Sequence, residues 1–408
     1  MTRFLLRGAD IFCDERAAYP KADLYIEDDT IVSVNQAPSW QKASYTEIDL
    51  DGLKIFPGMI DIHIHGAMGR DFTEGSREAV ETVSRDVIRD GVTAYIASLT
   101  VLSHKRNLEV LQALGGIAMS RAERRGAGPQ EARARGARFL GIHNEGPFIS
   151  KEYKALMDER YIRKPDIREM EEMARAAGGA LSLMTFSPSH ENSGELIRAG
   201  KKHRVKMMIG HSAASCAETL EALDQGASGY THFYNAMSPH HHRNEGVVTA
   251  GFTDPRGFAE LIADTIHVTG RVIKFSLGVL GGKRIILVTD AMPGKSMSDG
   301  LFRFSGLEVV KKDGKAFVKD TGRIAGSVIG MNEALRNMRA ISASGDNELV
   351  EMACVNPAKL LDRFGEIGSV QPGKKADIAV FNDRYDTMLT MVNGEILWTS
   401  PPFDRYRQ

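Results

Sequence analysis

Residues 137–148 read ARFLGIHNEGPF, an apolar run that ends on His and Glu and is followed at once by a Gly-Pro turn. Short apolar runs bounded by turn residues are typical of buried β-strands. A carboxylate at the end of such a strand needs a partner, because burying an unpaired charge is costly.

The same pattern recurs along the middle of the chain, where short apolar runs alternate with longer segments of helical character. This alternation indicates βα units and a parallel sheet. The candidate strands are FPGMIDIH, TAYIASLT, ARFLGIHN, LSLMTFSP, VKMMIGH, ASGYTHF, LIADTIHV and RIILVTD. Eight parallel strands close a (β/α)8 TIM barrel, whose active-site residues lie at the C-terminal ends of the strands. We therefore expect Glu145 to face the mouth of a barrel.

Both ends of the chain have a different pattern, in which apolar and polar residues alternate between turn residues. The N-terminal runs are FLLRGADIF, ADLYIEDDTIVSVN and SYTEIDLDGLKIF, and the C-terminal runs are GSVQPGKKADIAVFN and TMLTMVNGEILWTS. Half-buried antiparallel strands require this alternation. We expect the two ends to share one sheet.

The charge balance excludes several classes of partner. The chain has 52 Lys and Arg against 53 Asp and Glu, so no overall field recruits nucleic acid or an anionic membrane. The absence of a long apolar run or a secretory pattern predicts a cytoplasmic protein without a membrane span. The three cysteines have no CxxC pair, which disfavours a disulfide framework and a cysteine zinc site. The Arg-rich segment at 120–138 lacks interleaved aromatics and is interpreted as a solvated helix-loop.

Metal-binding or acid-base side chains stand at the ends of several predicted strands: His63, His65, Glu145, His211, His232 and Asp290. Because side chains two apart on a strand point to the same side, His63 and His65 can offer two imidazoles to one ion. Glu145 could ligate that ion or bridge two, with His211 and His232 completing a second set. Convergence of these groups favours a metal site, because they would be costly to crowd together without a cation.

Each of these residues also has a structural alternative. A single His at a strand end is more often a satisfied polar residue than a ligand. Glu145 alone could cap the helix that follows, and Asp290 could be a capping residue. Near a metal-activated water, Asp290 would instead accept a proton and return it to a leaving group. Only joint placement at the barrel mouth decides between the two interpretations.

The motifs PGMIDIHIHG, HNEGPF, GHS, THFYNAMSP, ADTIHV, LVTDAM and AGS, in this order, resemble the amidohydrolase superfamily and within it the N-acetylglucosamine-6-phosphate deacetylase family. HxH and TDA belong to the whole superfamily, whereas HxEGPF together with THxYNAM is typical of the deacetylase branch. The resemblance implies a (β/α)8 TIM barrel at residues 56–358. It also implies a small β-sandwich domain formed by both termini, at residues 1–55 and 359–408.

The resemblance further implies metal-dependent hydrolysis of the acetamide of N-acetylglucosamine 6-phosphate, which gives glucosamine 6-phosphate and acetate. It assigns the essential divalent metal, Zn2+ or Fe2+, to Glu145, His211 and His232. The intact His63 and His65 pair adds a second metal site, so that one or two ions bind per subunit. Asp290 is implied to be the catalytic acid-base.

The substrate-binding residues implied by the resemblance are Asn235, Ala236, Arg243 and His267. Arg243 corresponds to a phosphate-binding Arg that is often supplied by the neighbouring subunit, and the resemblance thus implies a homodimer. A guanidinium suits this role because it forks onto phosphate oxygens.

The sequence departs from the family pattern at two places near Glu145. Asn144 stands where the family usually has Leu, and residues 154–158 read KALMD where the family has a Lys-Gly-Ala-His or Lys-Gly-Ala-Gln type segment that touches the substrate. These departures keep alternatives open. One alternative is a related amidohydrolase for N-acetylgalactosamine 6-phosphate or for another N-acyl or cyclic amide. The other is a non-catalytic scaffold that binds a sugar phosphate.

Overall fold

The computed structural model describes residues 2–38, 44–124 and 136–406. Most of the Arg-rich segment interpreted above as a helix-loop lies outside these residues. In chain order the strands are β1 Arg3–Phe12, β2 Ala18–Glu27, β3 Thr30–Val34, β4 Thr46–Asp49, β5 Lys54–Pro57, β6 Met59–Ile64, β7 Gly66–Ala67, β8 Arg70–Asp71, β9 Val92–Leu99, β10 Arg138–Glu145, β11 Leu181–Phe186, β12 Lys206–Ile209, β13 Gly229–Tyr230, β14 Phe258–Ile262, β15 Ile285–Val288, β16 Gly300–Phe304, β17 Leu307–Lys312, β18 Lys315–Val318, β19 Ile378–Phe381, β20 Thr387–Val392 and β21 Glu395–Thr399.

The α-helices are α1 Arg77–Val87, α2 His104–Arg124, α3 Ile167–Ala176, α4 Ser193–Lys202, α5 Cys216–Gln225, α6 Val247–Thr253, α7 Gly270–Leu280, α8 Met331–Ser342, α9 Asp346–Val350 and α10 Asn356–Leu360. A π-helical segment, Glu351–Val355, lies between the last two. Short 3-10 helices occupy Phe72–Glu74, Ile88–Asp90, Lys151–Tyr153, Glu159–Tyr161, Gly282–Arg284 and Pro401–Tyr406.

All of the predicted barrel strands form one parallel sheet, in the order β6, β9, β10, β11, β12, β13, β14 and β15. Backbone hydrogen bonds join the last strand to the first. The Asp290 N–H donates to His63 O at 2.8 Å, and the His65 N–H donates to Ala291 O at 2.9 Å. The predicted (β/α)8 barrel is therefore confirmed, and two predicted site segments meet at its seam.

Helix α1 illustrates how the outer helices attach to the barrel. Its N-cap is Ser76, whose hydroxyl accepts a hydrogen bond from the Ala79 N–H at 3.1 Å. Val80, Val83 and Val87, at helical spacing, are buried in the same core cluster as strand β9. Each buried side chain of this size contributes about 1.5–3 kcal/mol. Packing of this kind keeps the strand ends in fixed positions.

Strands from both ends of the chain form a second, eight-stranded sheet in the order β21, β20, β19, β5, β1, β2 and β3, with β4 paired to β1. Strand β5 joins the two halves, because it pairs in parallel with β1 and antiparallel with β19. This sheet buries a core of its own, which includes Leu6, Ile11, Leu24, Ile378 and Leu389. The prediction that the two ends share a sheet is confirmed.

A three-stranded antiparallel sheet of β16, β17 and β18 follows the last barrel strand and was not predicted from the sequence. It packs on a small core that includes Met292, Phe304 and Val309. The seventh barrel strand also differs from its prediction, because it ends at Ile262 while the predicted run extends to Val268. Among the residues described, none of the helices combines the length and the hydropathy needed to cross a bilayer.

Candidate metal centre and active site

The polar side chains predicted at the strand ends converge at the C-terminal mouth of the barrel. A cavity of about 190 Å³ opens there, and it is lined by His65, Glu145, His211, His232 and Asp290. His63 is fully buried beside them, with its Nε2 3.3 Å from His65 Nε2. The joint placement that distinguishes a metal site from isolated polar residues is therefore present.

Glu145, His211 and His232 form the first group. Glu145 ends β10, His211 follows β12 and His232 follows β13. Glu145 Oε1 lies 2.9 Å from His211 Nε2 and 2.8 Å from His232 Nε2. The two ring nitrogens are 3.1 Å apart. The ends of three parallel strands, β10, β12 and β13, thus direct three donor atoms at one point.

His63, His65 and Asp290 form the second group, at the seam between β6 and β15. Asp290 Oδ1 lies 3.2 Å from His65 Nε2 and 3.6 Å from His63 Nε2. The second carboxylate oxygen of Glu145, Oε2, is 3.3 Å from His65 Nε2. Glu145 therefore lies between the two groups and directs one oxygen at each of them.

The hydrogen bonds behind the imidazoles show that the donor set fits a cation. Nδ1 of His211 lies 2.7 Å from the Tyr153 carbonyl oxygen, and Nδ1 of His65 lies 3.2 Å from the Ser98 carbonyl oxygen. A carbonyl only accepts, so in each ring Nδ1 carries the proton, and in the neutral ring Nε2 presents a lone pair to the cavity. These lone pairs face carboxylate oxygens and one another. A divalent cation, or additional protons, is needed to neutralise this arrangement.

Glu260 is a buried carboxylate behind the site that sequence reasoning missed. Its Oε2 accepts hydrogen bonds from His63 Nδ1 at 2.9 Å and from the His232 backbone N–H at 3.0 Å. It therefore orients one residue from each donor group. The predicted seventh strand began one residue later, at Leu261, and so excluded Glu260. The sequence signal that could have identified Glu260 is its position as a charged residue directly before the buried run LIADTIHV.

The carboxylates of the site are held in their charged forms. Burial raises the pKa of Glu145, but the hydrogen bonds that His211, His232 and His65 donate when their rings are protonated outweigh it and hold that pKa well below its usual range. Burial also raises the pKa of Asp290, and the hydrogen bond from His65 with the neighbouring histidine charges lowers it to about 2. Asp290 is therefore ionised near neutral pH and can accept a proton.

The backbone at three of these residues adopts a left-handed conformation. The φ angles are 47° at His211, 31° at His232 and 48° at Asp290. Positive φ is uncommon for residues other than glycine and is maintained only where the surrounding structure enforces it. The strand ends thus turn sharply, which directs the three side chains into the cavity.

The predicted substrate-binding residues lie in two places. Asn235, Ala236 and His267 line the cavity, whereas Arg243 is exposed and lies outside it. His267 Nδ1 is 2.6 Å from Asp264 Oδ2. Burial lowers the pKa of His267, but this contact raises it above its usual value overall. The cavity of a single chain therefore contains His267, whose charged form Asp264 favours, and it does not contain Arg243.

The segment at 154–158, which departs from the family pattern, forms part of the cavity wall through Ala155, Leu156 and Met157. Met157 is buried, and its Sδ accepts a hydrogen bond from the Val101 N–H at 3.3 Å. Asn144, the other departure, donates through Nδ2 to Gly146 O at 2.8 Å and so fastens the turn after Glu145. The first departure lies in direct contact with the cavity, and the second stabilises its edge.

The small sheet and the turn that follows it complete this wall with side chains that sequence reasoning did not identify. Phe304 and Ile324 line the cavity, and the ring of Phe304 lies 5.2 Å from that of His65, centroid to centroid. The hydroxyl of Ser305 donates to Leu156 O at 3.4 Å. These contacts bring an apolar surface close to the donor groups.

Comparison with known proteins places the chain among metal-dependent hydrolases. The family model described as the amidohydrolase family matches residues 55–397. The N-acetylglucosamine-6-phosphate deacetylase of Bacillus subtilis (strain 168) is 34% identical over 351 residues, which are 86% of this chain and 86% of that protein. The N-acetylgalactosamine-6-phosphate deacetylase of Escherichia coli O157:H7 is 31% identical over 373 residues, 91% and 94% of the two chains.

A solved structure shows the same similarity in three dimensions. It is a mutant of N-acetyl-D-glucosamine-6-phosphate deacetylase from Mycobacterium smegmatis in complex with N-acetyl-D-glucosamine-6-phosphate. It superposes with a TM-score of 0.88 at 26% identity and covers 98% of this chain and 100% of its own. The barrel, the terminal sheet and the inserted small sheet therefore all lie within the aligned part of the chain.

Proposed function

The chain belongs to the amidohydrolase family, and from this we propose that it hydrolyses the acetamide of N-acetylglucosamine 6-phosphate to glucosamine 6-phosphate and acetate. The observation that carries the proposal is the shared position of Glu145 between two groups of inward-facing donors, beside the ionised Asp290. Two relatives that match most of this chain are named as deacetylases of amino-sugar 6-phosphates.

We assign the metal-binding role to the two donor groups. Glu145, His211 and His232 would hold one ion, and His63 with His65 would hold a second. Zn2+ or Fe2+ suits imidazole and carboxylate donors. A bound divalent cation supplies Lewis acidity, which lowers the pKa of water and polarises an amide carbonyl.

Asp290 would move the proton during the reaction. Its carboxylate accepts a proton from the attacking water, since it is ionised near neutral pH. The protonated carboxyl then donates that proton to the amine nitrogen as the amide bond breaks. His267 and Asn235, at the cavity wall, would orient the sugar so that its amide lies beside Asp290.

Release of acetate tests the proposed function directly. The chelated protein would be incubated with N-acetylglucosamine 6-phosphate, its galactosamine epimer and the unphosphorylated sugar, before and after Zn2+ or Fe2+ is restored. We expect rapid, metal-dependent release from the glucosamine phosphate. Release from the galactosamine phosphate alone would support a second candidate function, hydrolysis of N-acetylgalactosamine 6-phosphate, which the similarity to the Escherichia coli deacetylase of that name favours. No release from any of the three compounds would contradict both.

We also propose a homodimer in which Arg243 of one chain binds the phosphate in the cavity of the other. Helix α7 exposes Val272, Phe275 and Val279 on one face, and the side chain of Phe275 packs edge to face on Phe252 of α6. An exposed apolar face of this kind is typical of an interface. This face of α7 borders α6, the helix that directly follows the loop with Arg243. Dimerisation through the face would therefore bring Arg243 towards the partner chain.

Arg243→Ala should raise the KM for the phosphorylated substrate by about 10- to 100-fold, because a charge-assisted hydrogen bond to phosphate is lost. Metal content should not change, since Arg243 contacts none of the donor groups. Steady-state kinetics with metal analysis would check this, and Arg168→Ala, an exposed arginine on α3, is the matched control. Equal loss of metal and of activity would contradict the phosphate-binding role.

A further inference from the structure

One wall of the cavity is apolar and is built by two separate segments. Leu156 comes from the loop after β10, while Phe304 and Ile324 come from the small sheet and the turn that follows it. Leu156 packs on the core of that sheet, so the two segments form one continuous surface, the apolar wall. Ile324 leaves 38% of its surface exposed at the cavity. A ligand that covers this side chain would remove apolar surface from water.

The apolar wall begins next to the reacting centre. The ring of Phe304 lies 5.2 Å from that of His65, whose Nε2 is 3.2 Å from Asp290 Oδ1. Gly326 keeps the space between Phe304 and Asp290 open. A Cβ at Gly326 would lie 3.1 Å from the Asp290 carbonyl oxygen and 3.5 Å from Phe304 Cε1. An amide carbon placed for proton transfer by Asp290 therefore has the apolar wall as its neighbour on this side.

The two substituents of that amide carbon differ in polarity. The amine side carries a sugar with hydroxyls and a phosphate, which require the polar groups of His267 and Asn235. The acyl side is apolar and matches the surface of Phe304. A substrate therefore leaves the fewest polar groups without a partner when its sugar lies on the polar side of the cavity and its acyl group lies on the apolar side.

We propose that the apolar wall is the acyl-binding subsite and that the enzyme accepts amino-sugar 6-phosphates whose N-acyl group is longer than acetyl. This inference rests on the proposed function. An acetyl methyl reaches only the beginning of the wall at Phe304, whereas a propionyl or butyryl chain extends towards Leu156 and Ile324. Each additional buried methylene favours binding by about fourfold.

A series of N-acetyl, N-propionyl and N-butyryl glucosamine 6-phosphates tests the inference with the metal-loaded full-length protein. All three release the same amine, glucosamine 6-phosphate, so one assay measures kcat/KM for each. We expect the longer acyl groups to be hydrolysed at least as efficiently as acetyl. If both are slower by fivefold or more, the inference is overturned while the proposed function stands. If the N-acetyl compound itself releases no amine, the proposed function fails.

Ile324→Ser separates the apolar wall from other causes of broad specificity. The substitution should reduce kcat/KM for the N-butyryl substrate, relative to kcat/KM for the N-acetyl substrate, by about fourfold or more. The reason is that the additional methylenes of the butyryl group lose their apolar neighbour. Leu301→Ser is the matched control, since Leu301 is 52% exposed on the same small sheet but lies outside the cavity. An unchanged ratio in Ile324→Ser would overturn the assignment of the wall, even if longer acyl groups are accepted.

Discussion

Asp290→Asn should lower kcat by about 10²- to 10⁴-fold, the usual contribution of a positioned acid-base group. Asparagine has nearly the same shape as aspartate but cannot take up and return the proton. It also tolerates the left-handed backbone, φ 48°, found at this position. The protein should therefore remain folded and should still bind metal through the other donors.

Steady-state kinetics, metal analysis and thermal unfolding of Asp290→Asn would check this expectation. Asp320→Asn, an exposed aspartate beyond the small sheet, controls for the general effect of removing one negative charge. Normal turnover in Asp290→Asn would remove this residue from the mechanism. Loss of metal together with turnover would make it a ligand rather than the acid-base group.

Glu145→Gln should weaken metal binding by at least about 100-fold, the upper end of the cost of altering a group that merely supports a ligand. Glu145 contributes one oxygen to each donor group, so both groups lose their shared negative charge. Activity should be lost at metal concentrations that saturate the unaltered protein.

Calorimetric titration of the metal-free proteins with Zn2+ would measure the loss in Glu145→Gln. The unfolding temperature gives an independent measurement, because a bound ion stabilises the folded state in proportion to its affinity and concentration. Zn2+ should raise it in the unaltered protein and in the exposed control Glu152→Gln, but not in Glu145→Gln. An equal rise in all three proteins would show that the ion binds elsewhere.

The barrel strands could be predicted from the sequence because each is a short apolar run with turn residues at its ends. This worked even for β13, which spans only Gly229–Tyr230. The closure of the strands into a barrel was expected from their number, because eight βα units form this fold. The antiparallel strands of the two termini could likewise be predicted, because alternation of apolar and polar residues is a local property, and the same pattern at both ends suggested that they share one sheet.

Some side-chain contacts between distant segments were beyond prediction from local patterns. Lys295 is buried with its Nζ 2.6 Å from Asp86 and 2.7 Å from Asp90, and nothing in the sequence near any of them indicates that they meet. Glu260 was missed for the same reason, because its partner His63 is 197 residues away. The small sheet was missed because its strands are short and interrupted by charged residues, so their alternation is weak.

The left-handed backbone at His211, His232 and Asp290 limits how this site could be rebuilt elsewhere. Each position must supply a particular functional group and also accept a conformation that most side chains disfavour by about 1–2 kcal/mol. Copying the three side chains onto the straight strand ends of another barrel would aim them along the wall instead of at one another. A transplant would have to carry the turns as well, so the smallest unit that can be transferred is the strand end with its loop.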